Sequence, residues 1–154
     1  MGRKIVVDGS NVAFEEFSKG GTPKVSNLVA VRKHLEERGF HPMIIVDASL
    51  KHKVDDPDQL DALILSERIH QVPAGTDADY WVLETAQRID GLVVSNDRFL
   101  PYQDAYPWIE ERRIPFMIIE SLVQLYEPAI DAFMQAAALA ADDIAIEPEQ
   151  QPAA

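Results

Sequence analysis

Ile5-Val6-Val7-Asp8-Gly9-Ser10-Asn11 stands near the start of the chain, and Leu92-Val93-Val94-Ser95-Asn96-Asp97 well past its middle. Each is a short apolar run that leads into a carboxylate. Runs this short and this continuously apolar read as strands covered on both faces, because a strand with one wet face would alternate. Met43-Ile44-Ile45-Val46, followed by Asp47, is a third of the same kind. Helical patterns lie between them, so the chain reads as strand–helix–strand units with right-handed crossovers. The expected fold class is α/β: a three-layer α/β/α, Rossmann-like sandwich with a mainly parallel sheet of four to five strands. In such sheets the ligand crevice opens at the carboxyl ends of the strands, near a switch in strand order. Asp8, Asp47 and Asp97 stand at those ends.

Apolar spacing predicts helices over about 26–38, 58–69 and 77–89, the last capped by Thr76. A final helix is predicted over 120–139, kinked or broken at Pro128. A weak edge strand is expected at Val72-Pro73 and a last strand over 114–119. Residues 10–21 read as a loop or short helical turn, 48–56 as a polar loop, and 104–112 as a short helix or turn interrupted by Pro107. The folded domain is expected over residues 1–141, with a disordered tail over 142–154.

The length of 154 residues fits one domain, and 47% hydrophobic residues are enough for a core. The absence of cysteine removes disulfides, thiolate chemistry and Cys-zinc sites, and fits a cytoplasmic protein. No apolar stretch reaches membrane-spanning length, and the run behind the basic N-terminus is too short for a signal peptide. The net charge of −12 argues against coating nucleic acid by bulk charge. It leaves room for a local basic rim beside an acidic centre.

Asp8, Asp79 and Asp97 are the candidate metal ligands, with Asp77 and Asp104 as further ones. Carboxylates gathered in one crevice repel each other and would hold a proton without a counter-ion. Mg²⁺ or Mn²⁺ prefers such hard oxygen ligands, and can lower the pKa of a water, orient a phosphate and steady a leaving oxygen. The bland alternative for Asp77 and Asp79 is helix capping and dipole compensation. For Asp8 it is an ordinary turn. Lys51, Lys53 and Arg98 are candidate phosphate contacts, with Lys19 and Lys24 behind them. Tyr102, Tyr106 and Trp108 either stack on unpaired bases or simply cover the core. His52, in the polar loop, is the one histidine placed for a substrate role. His34, His41 and His70 fall at ordinary helix and strand positions. The chain has no triad order and neither Gly-rich phosphate motif.

The stretch Val6-Val7-Asp8-Gly9-Ser10-Asn11-Val12-Ala13, taken with Asp-Gly-Leu-Val-Val-Ser-Asn-Asp at 90–97, resembles the PIN-like, NYN-related ribonuclease domains of the regnase type, best known beside CCCH zinc fingers. The motifs match in order and separation, and the resemblance spans about residues 4 to 120. It implies a PIN-like fold and Mg²⁺- or Mn²⁺-dependent endonucleolytic cleavage of single-stranded or loop RNA. Carried over residue by residue, Asp8 matches the family's first acid, Asn11 its motif asparagine, Asp79 the acid at the head of the third helix, and Asp97 the acid of Ser-Asn-Asp. Ala78 stands where the family has a second acid beside Asp79, and Asp77 is the nearest replacement. Pro101 stands where the family tends to carry another acid, and Asp104 could substitute for it. The zinc finger is absent from these residues.

The expected reaction is in-line hydrolysis of an RNA phosphodiester, leaving a 5′-phosphate and a 3′-hydroxyl. Asp8, Asp79 and Asp97 would hold the ion. Asn11 and Ser10 would orient Asp8 or the phosphate, and Lys51, Lys53 and Arg98 would bind the strand. The rival reading is a catalytically weak or inactive RNA-binding scaffold of the same fold. A haloacid-dehalogenase-type phosphatase would need a second Asp where Ser10 stands. A homodimer through the last helix, or a regulatory partner protein, is compatible with either.

Overall fold

The computed structural model describes residues 2–150, with side chains through residue 142. The elements are β1 (Arg3–Asp8), α1 (Gly9–Ala13), α2 (Val25–Glu37), β2 (Phe40–Val46), α3 (Pro57–Leu65), β3 (Ile69–Gln71), α4 (Ala78–Ile89) and β4 (Val93–Val94). They continue with α5 (Ile109–Arg112), β5 (Arg113–Ile114), β6 (Phe116–Ile119), β7 (Leu122–Leu125) and α6 (Glu127–Gln150). Short 3-10 turns occupy Leu50–His52 and Leu100–Tyr102.

β1 to β5 form a parallel sheet in the order β3-β2-β1-β4-β5. β1 is central because its side chains are apolar on both faces. Ile5 and Val7 pack with Ile44, Val46 and Val94 on the α2–α3 side. Val6 packs with Ile45, Val93 and the α4 residues Val82, Leu83 and Ala86 on the other. The continuous apolar runs are therefore the sequence trace of a three-layer sandwich. Strand order reverses at β1 and β4, and both deliver acids there.

Gly9 sets how closely α1 seats on β2. A Cβ at that position would lie 2.6 Å from Val46 Cγ1 and 2.8 Å from the Ile45 carbonyl oxygen. α1 is short, and its end is closed from another element. The buried Asn27 side-chain amide of α2 donates to the carbonyls of Val12, Ala13 and Glu16 at 3.3, 3.0 and 2.9 Å. These bonds add to those that the Val12 and Ala13 carbonyls accept from the Glu15 and Lys24 N–H groups, and so fix where the short helix ends.

Several expected elements differ, each for a local reason. The helix predicted over 58–69 stops at Leu65, where Glu67 takes a left-handed φ of 61°. The edge strand forms at Ile69–Gln71 instead of Val72-Pro73, which frees Pro73 from the ladder. The last strand divides at Pro115. Its first part joins the sheet as β5, and its second leaves to form an antiparallel hairpin, β6–β7. Glu120 and Ser121 make the turn with φ of 49° and 67°, the paired left-handed geometry of a two-residue hairpin loop. The final helix consequently starts at Glu127, and Pro128 sits in its first turn, where proline is tolerated, rather than at a kink. Its backbone continues through Gln150. The end of the expected tail, from residue 151, lies outside the described residues. Asp77, not Thr76, caps α4, accepting from the Asp79 N–H at 3.0 Å. The Thr76 hydroxyl holds the Trp81 indole N–H instead, at 3.0 Å.

Gly9→Ala should destabilise the protein by about 2 kcal/mol or more, since backbone and β-branched neighbours cannot both retreat. Chemical denaturation reads this as a lower midpoint with an unchanged slope. A midpoint equal to wild type would show that α1 is not tightly seated.

Candidate metal centre

Asp8 ends β1, and burial leaves it only 4% exposed. It points to the α4 face, the same face as Val6, two residues earlier. Asp79 comes down from the first turn of α4. Asp97 follows β4 through Ser95-Asn96. One carboxylate oxygen from each lies within 4.8 Å of the others. Among the described residues they are the one cluster of three or more possible metal ligands. This spacing suits a single divalent ion bound by hard oxygens, with room left for water or phosphate.

The charge state fits that use. Burial, and secondarily the negative charge of Asp97, push the Asp8 carboxyl up to about 6, against the pull of the Ser95 hydroxyl and the Asn11 backbone N–H. Burial pushes Asp79 to about 7, helped by Asp8, Asp97, Asp77 and Asp47. A cation between them would reverse this.

Ser95 connects two of the three acids. Its hydroxyl donates to Asp8 Oδ2 at 2.7 Å and accepts from the Asp97 N–H at 3.0 Å. Asp97 in turn accepts from the Phe99 N–H at 2.8 Å, and the buried Phe99 anchors the loop. Asn96 fixes the turn from a third direction. Its N–H donates to Asn11 Oδ1 at 2.9 Å, and its side-chain amide exchanges two bonds with the Phe116 backbone, both 2.9 Å. Asn11 is therefore a positioning residue: its carbonyl holds the Asp97 loop. Ser10 accepts from the Asp47 N–H at 2.9 Å and ties the end of β2 to α1.

The other expected site residues fall outside the cluster. Both Asp77 oxygens are engaged, one by the Asp79 N–H and one by the Tyr102 hydroxyl. Asp104 is exposed beyond the second 3-10 turn. Arg98 leans toward Glu110 at 3.9 Å, and Lys24 pairs with Glu16 at 2.9 Å. Lys51 lies in the 3-10 turn after β2, with Lys53 just beyond it. Tyr102, Tyr106 and Trp108 meet at tilted and edge-on angles and bond to Asp77, Glu84 and Gln87, so they pack along α4, with Arg112 over the Trp108 ring. Ser95 was not singled out as a site group from the sequence, and Asp47 was read only as a strand-end acid, not as a ligand. The Ser-Asn-Asp motif held the signal for Ser95, since a serine two residues before an acid can cap that acid's own backbone.

A parallel sheet with three acids at the switch point between β1 and β4 defines a PIN-like, metal-dependent nuclease domain. A family model described as the Zc3h12a-like ribonuclease NYN domain matches residues 1–129, and the chain belongs to that family. The fold is shared with two crystal or solved structures of nuclear protein-only RNase P 2 from Arabidopsis thaliana. One is 20% identical over 79% of this chain with a TM-score of 0.62. The other is 22% identical over 80% with a TM-score of 0.64. The chain spans 29% of the length of each. No curated protein matches it. Among the described residues no helix is long and apolar enough to cross a membrane.

The folded values of Asp8 and Asp79 lie above those of an unfolded chain, so their ionisation opposes folding. Metal-free protein should gain thermal stability as pH falls from above 7 to below 6, as the folded state takes up protons the unfolded chain has not yet bound. For Asp8 alone the penalty of ionisation is on the order of 2–3 kcal/mol. Asp79→Asn should raise the metal-free Tm at pH 8 by a few degrees, and a lower Tm would contradict the repulsion. Ser95→Ala should leave the fold intact while weakening Mn²⁺ binding at neutral pH, because Asp8 loses the bond that favours its charged form. Unchanged affinity by titration would remove Ser95 from the site.

Proposed function

We propose that this chain is an endoribonuclease that hydrolyses single-stranded or loop RNA with Mg²⁺ or Mn²⁺ held by Asp8, Asp79 and Asp97. The observation that carries the reading is the approach of these three acids within 4.8 Å at a strand-order switch, inside a ribonuclease family domain. The ion would supply an activated water and neutralise charge on the scissile phosphate.

The side chains divide the remaining work. Asp8 is the fixed ligand, immobilised by Ser95 and by its burial. Asp79 and Asp97 are more exposed and face the opening, so a phosphate can reach the ion between them. Asn11 and Asn96 keep Asp97 in range. Lys51 and Lys53 stand on the same edge of the sheet as the acids and are offered as phosphate contacts. Arg98 would have to leave Glu110 to join them. The product expected is a 5′-phosphate and a 3′-hydroxyl.

Internal cuts in end-labelled single-stranded RNA should appear with Mn²⁺ or Mg²⁺ and vanish with EDTA. Asp8→Asn should lower the rate by at least about a hundredfold while keeping the circular dichroism spectrum, as expected when a charge-stabilising group is removed from a reaction centre. A pure Asp8→Asn protein with full activity would overturn the assignment. Folded wild type that binds RNA without cutting would favour the scaffold reading.

A further inference from the structure

The face of the sheet that carries Asp8 continues past the site. In register, Asp8 lies beside Ile45, and Ile45 beside His70. Neighbouring strands are about 4.8 Å apart, so His70 falls about 10 Å from the first acid along this row. α4 covers the β1 end of the row and leaves the β2–β3 end open. There Met43, Ile45, Val72 and Pro73 form the floor and edge of an apolar groove of about 300 Å³. Trp81, two residues beyond Asp79 on α4, and His70, on the edge strand, both line it.

The Trp81 wall is rigid. The Trp81 indole N–H is bonded to Thr76 Oγ1 at 3.0 Å, and Tyr80 packs edge-on at 5.5 Å between centroids. The ring is thus held in place while remaining partly exposed.

At its far end the groove meets a second cavity of about 180 Å³, with Met43 and His70 common to both. This cavity gathers Lys4, Arg32, Arg68 and His41 against Glu36 and Glu67. Glu36 is engaged by Arg32 at 3.4 Å. Three Lys and Arg side chains here outnumber the two acids, the reverse of a chain with 14 Lys and Arg against 26 acids. From His41 to the end of β2 at Val46 is about 17 Å at strand rise, a span of a few nucleotides.

We propose that this groove is the track of the RNA strand leaving the metal centre, with an unpaired base seated between Trp81 and His70 and a neighbouring phosphate held by Lys4 and Arg68. The inference rests on the nuclease reading for the identity of the strand. An apolar slot with a fixed indole suits a base of any sequence, because every base offers a π-face. The Lys4–Arg68 end of the pocket suits a polyanion. Sequence preference would then come from His70, Gln71 and Thr85 at the rim, the polar groups able to read a base edge.

The test uses the whole chain and a single-stranded RNA carrying 4-thiouridine at successive positions, photocrosslinked in Ca²⁺ and mapped by mass spectrometry. Cleavage of the same RNA in Mn²⁺ is measured in parallel. Crosslinks should fall on Trp81 or His70. Trp81→Ala and His70→Ala should each weaken RNA binding, Trp81→Ala by about tenfold, and Arg68→Glu should flatten the salt dependence. His70 and Arg68 are exposed, so they keep the test valid if Trp81→Ala misfolds. Crosslinks confined to the Lys51–Lys53 side, or affinities unmoved in His70→Ala and Arg68→Glu, would overturn the track even if cleavage persists. Crosslinks in the groove without cleavage would support the track while defeating the nuclease reading. A concentration-dependent dimer dissolved by Met43→Glu, with RNA affinity unchanged, would assign the groove to a second copy and overturn the proposal.

Discussion

Mutual repulsion among three carboxylates, one of them almost completely buried, is the constraint around which the rest of the structure is arranged. Burial and neighbouring charge raise Asp8 and Asp79 well above ordinary carboxylate values, so their full ionisation without a bound cation opposes folding. A fold tolerates such a centre when binding recovers the cost, and a divalent cation among oxygen ligands does so directly. The acids are thus destabilising alone and useful together.

What keeps them together is a set of bonds that cross between elements distant in sequence. Ser95 links β4 to Asp8. Asn11 in α1 holds Asn96, and Asn96 extends the sheet's hydrogen bonding onto Phe116 at the start of the hairpin. Asn27 closes the end of α1 from α2. Gly9 lets α1 approach β2 closely enough for Ser10 to reach the Asp47 backbone. Asp77 starts α4 at the place that brings Asp79 over Asp8. Several polar residues around the acids therefore act through position, and their loss should alter ion affinity before it alters the fold.

The sheet and two of the three clustered acids, Asp8 and Asp97, were legible in the sequence because buried parallel strands write continuous apolar runs, and these acids follow those runs closely. Asp79 was legible as one of the gathered acids, but less sharply, since an acid in a first helical turn has an ordinary capping explanation and the resemblance was what singled it out from Asp77. The C-terminal part was less so. Leu122, Leu125, Tyr126 and Ile130 fit a helical period, but Val123 and Leu125 are the buried positions and Leu122 is exposed, which is the alternation of a strand. A left-handed pair at Glu120-Ser121 made the turn without glycine or asparagine, so the usual hairpin signal was missing. His70 read as the end of a helix because the left-handed bend at Glu67 has no sequence mark. Its place on the acid-bearing face emerged only from strand register.

The most direct test of the central claim is calorimetric titration of the metal-free chain with Mn²⁺ at pH 6.5, in two buffers of different ionisation enthalpy, for wild type and Asp79→Asn. The account requires one saturable site in wild type whose filling releases protons from Asp8 and Asp79, and marked loss of affinity in Asp79→Asn. Binding that releases no proton, or that survives Asp79→Asn unchanged, would contradict it.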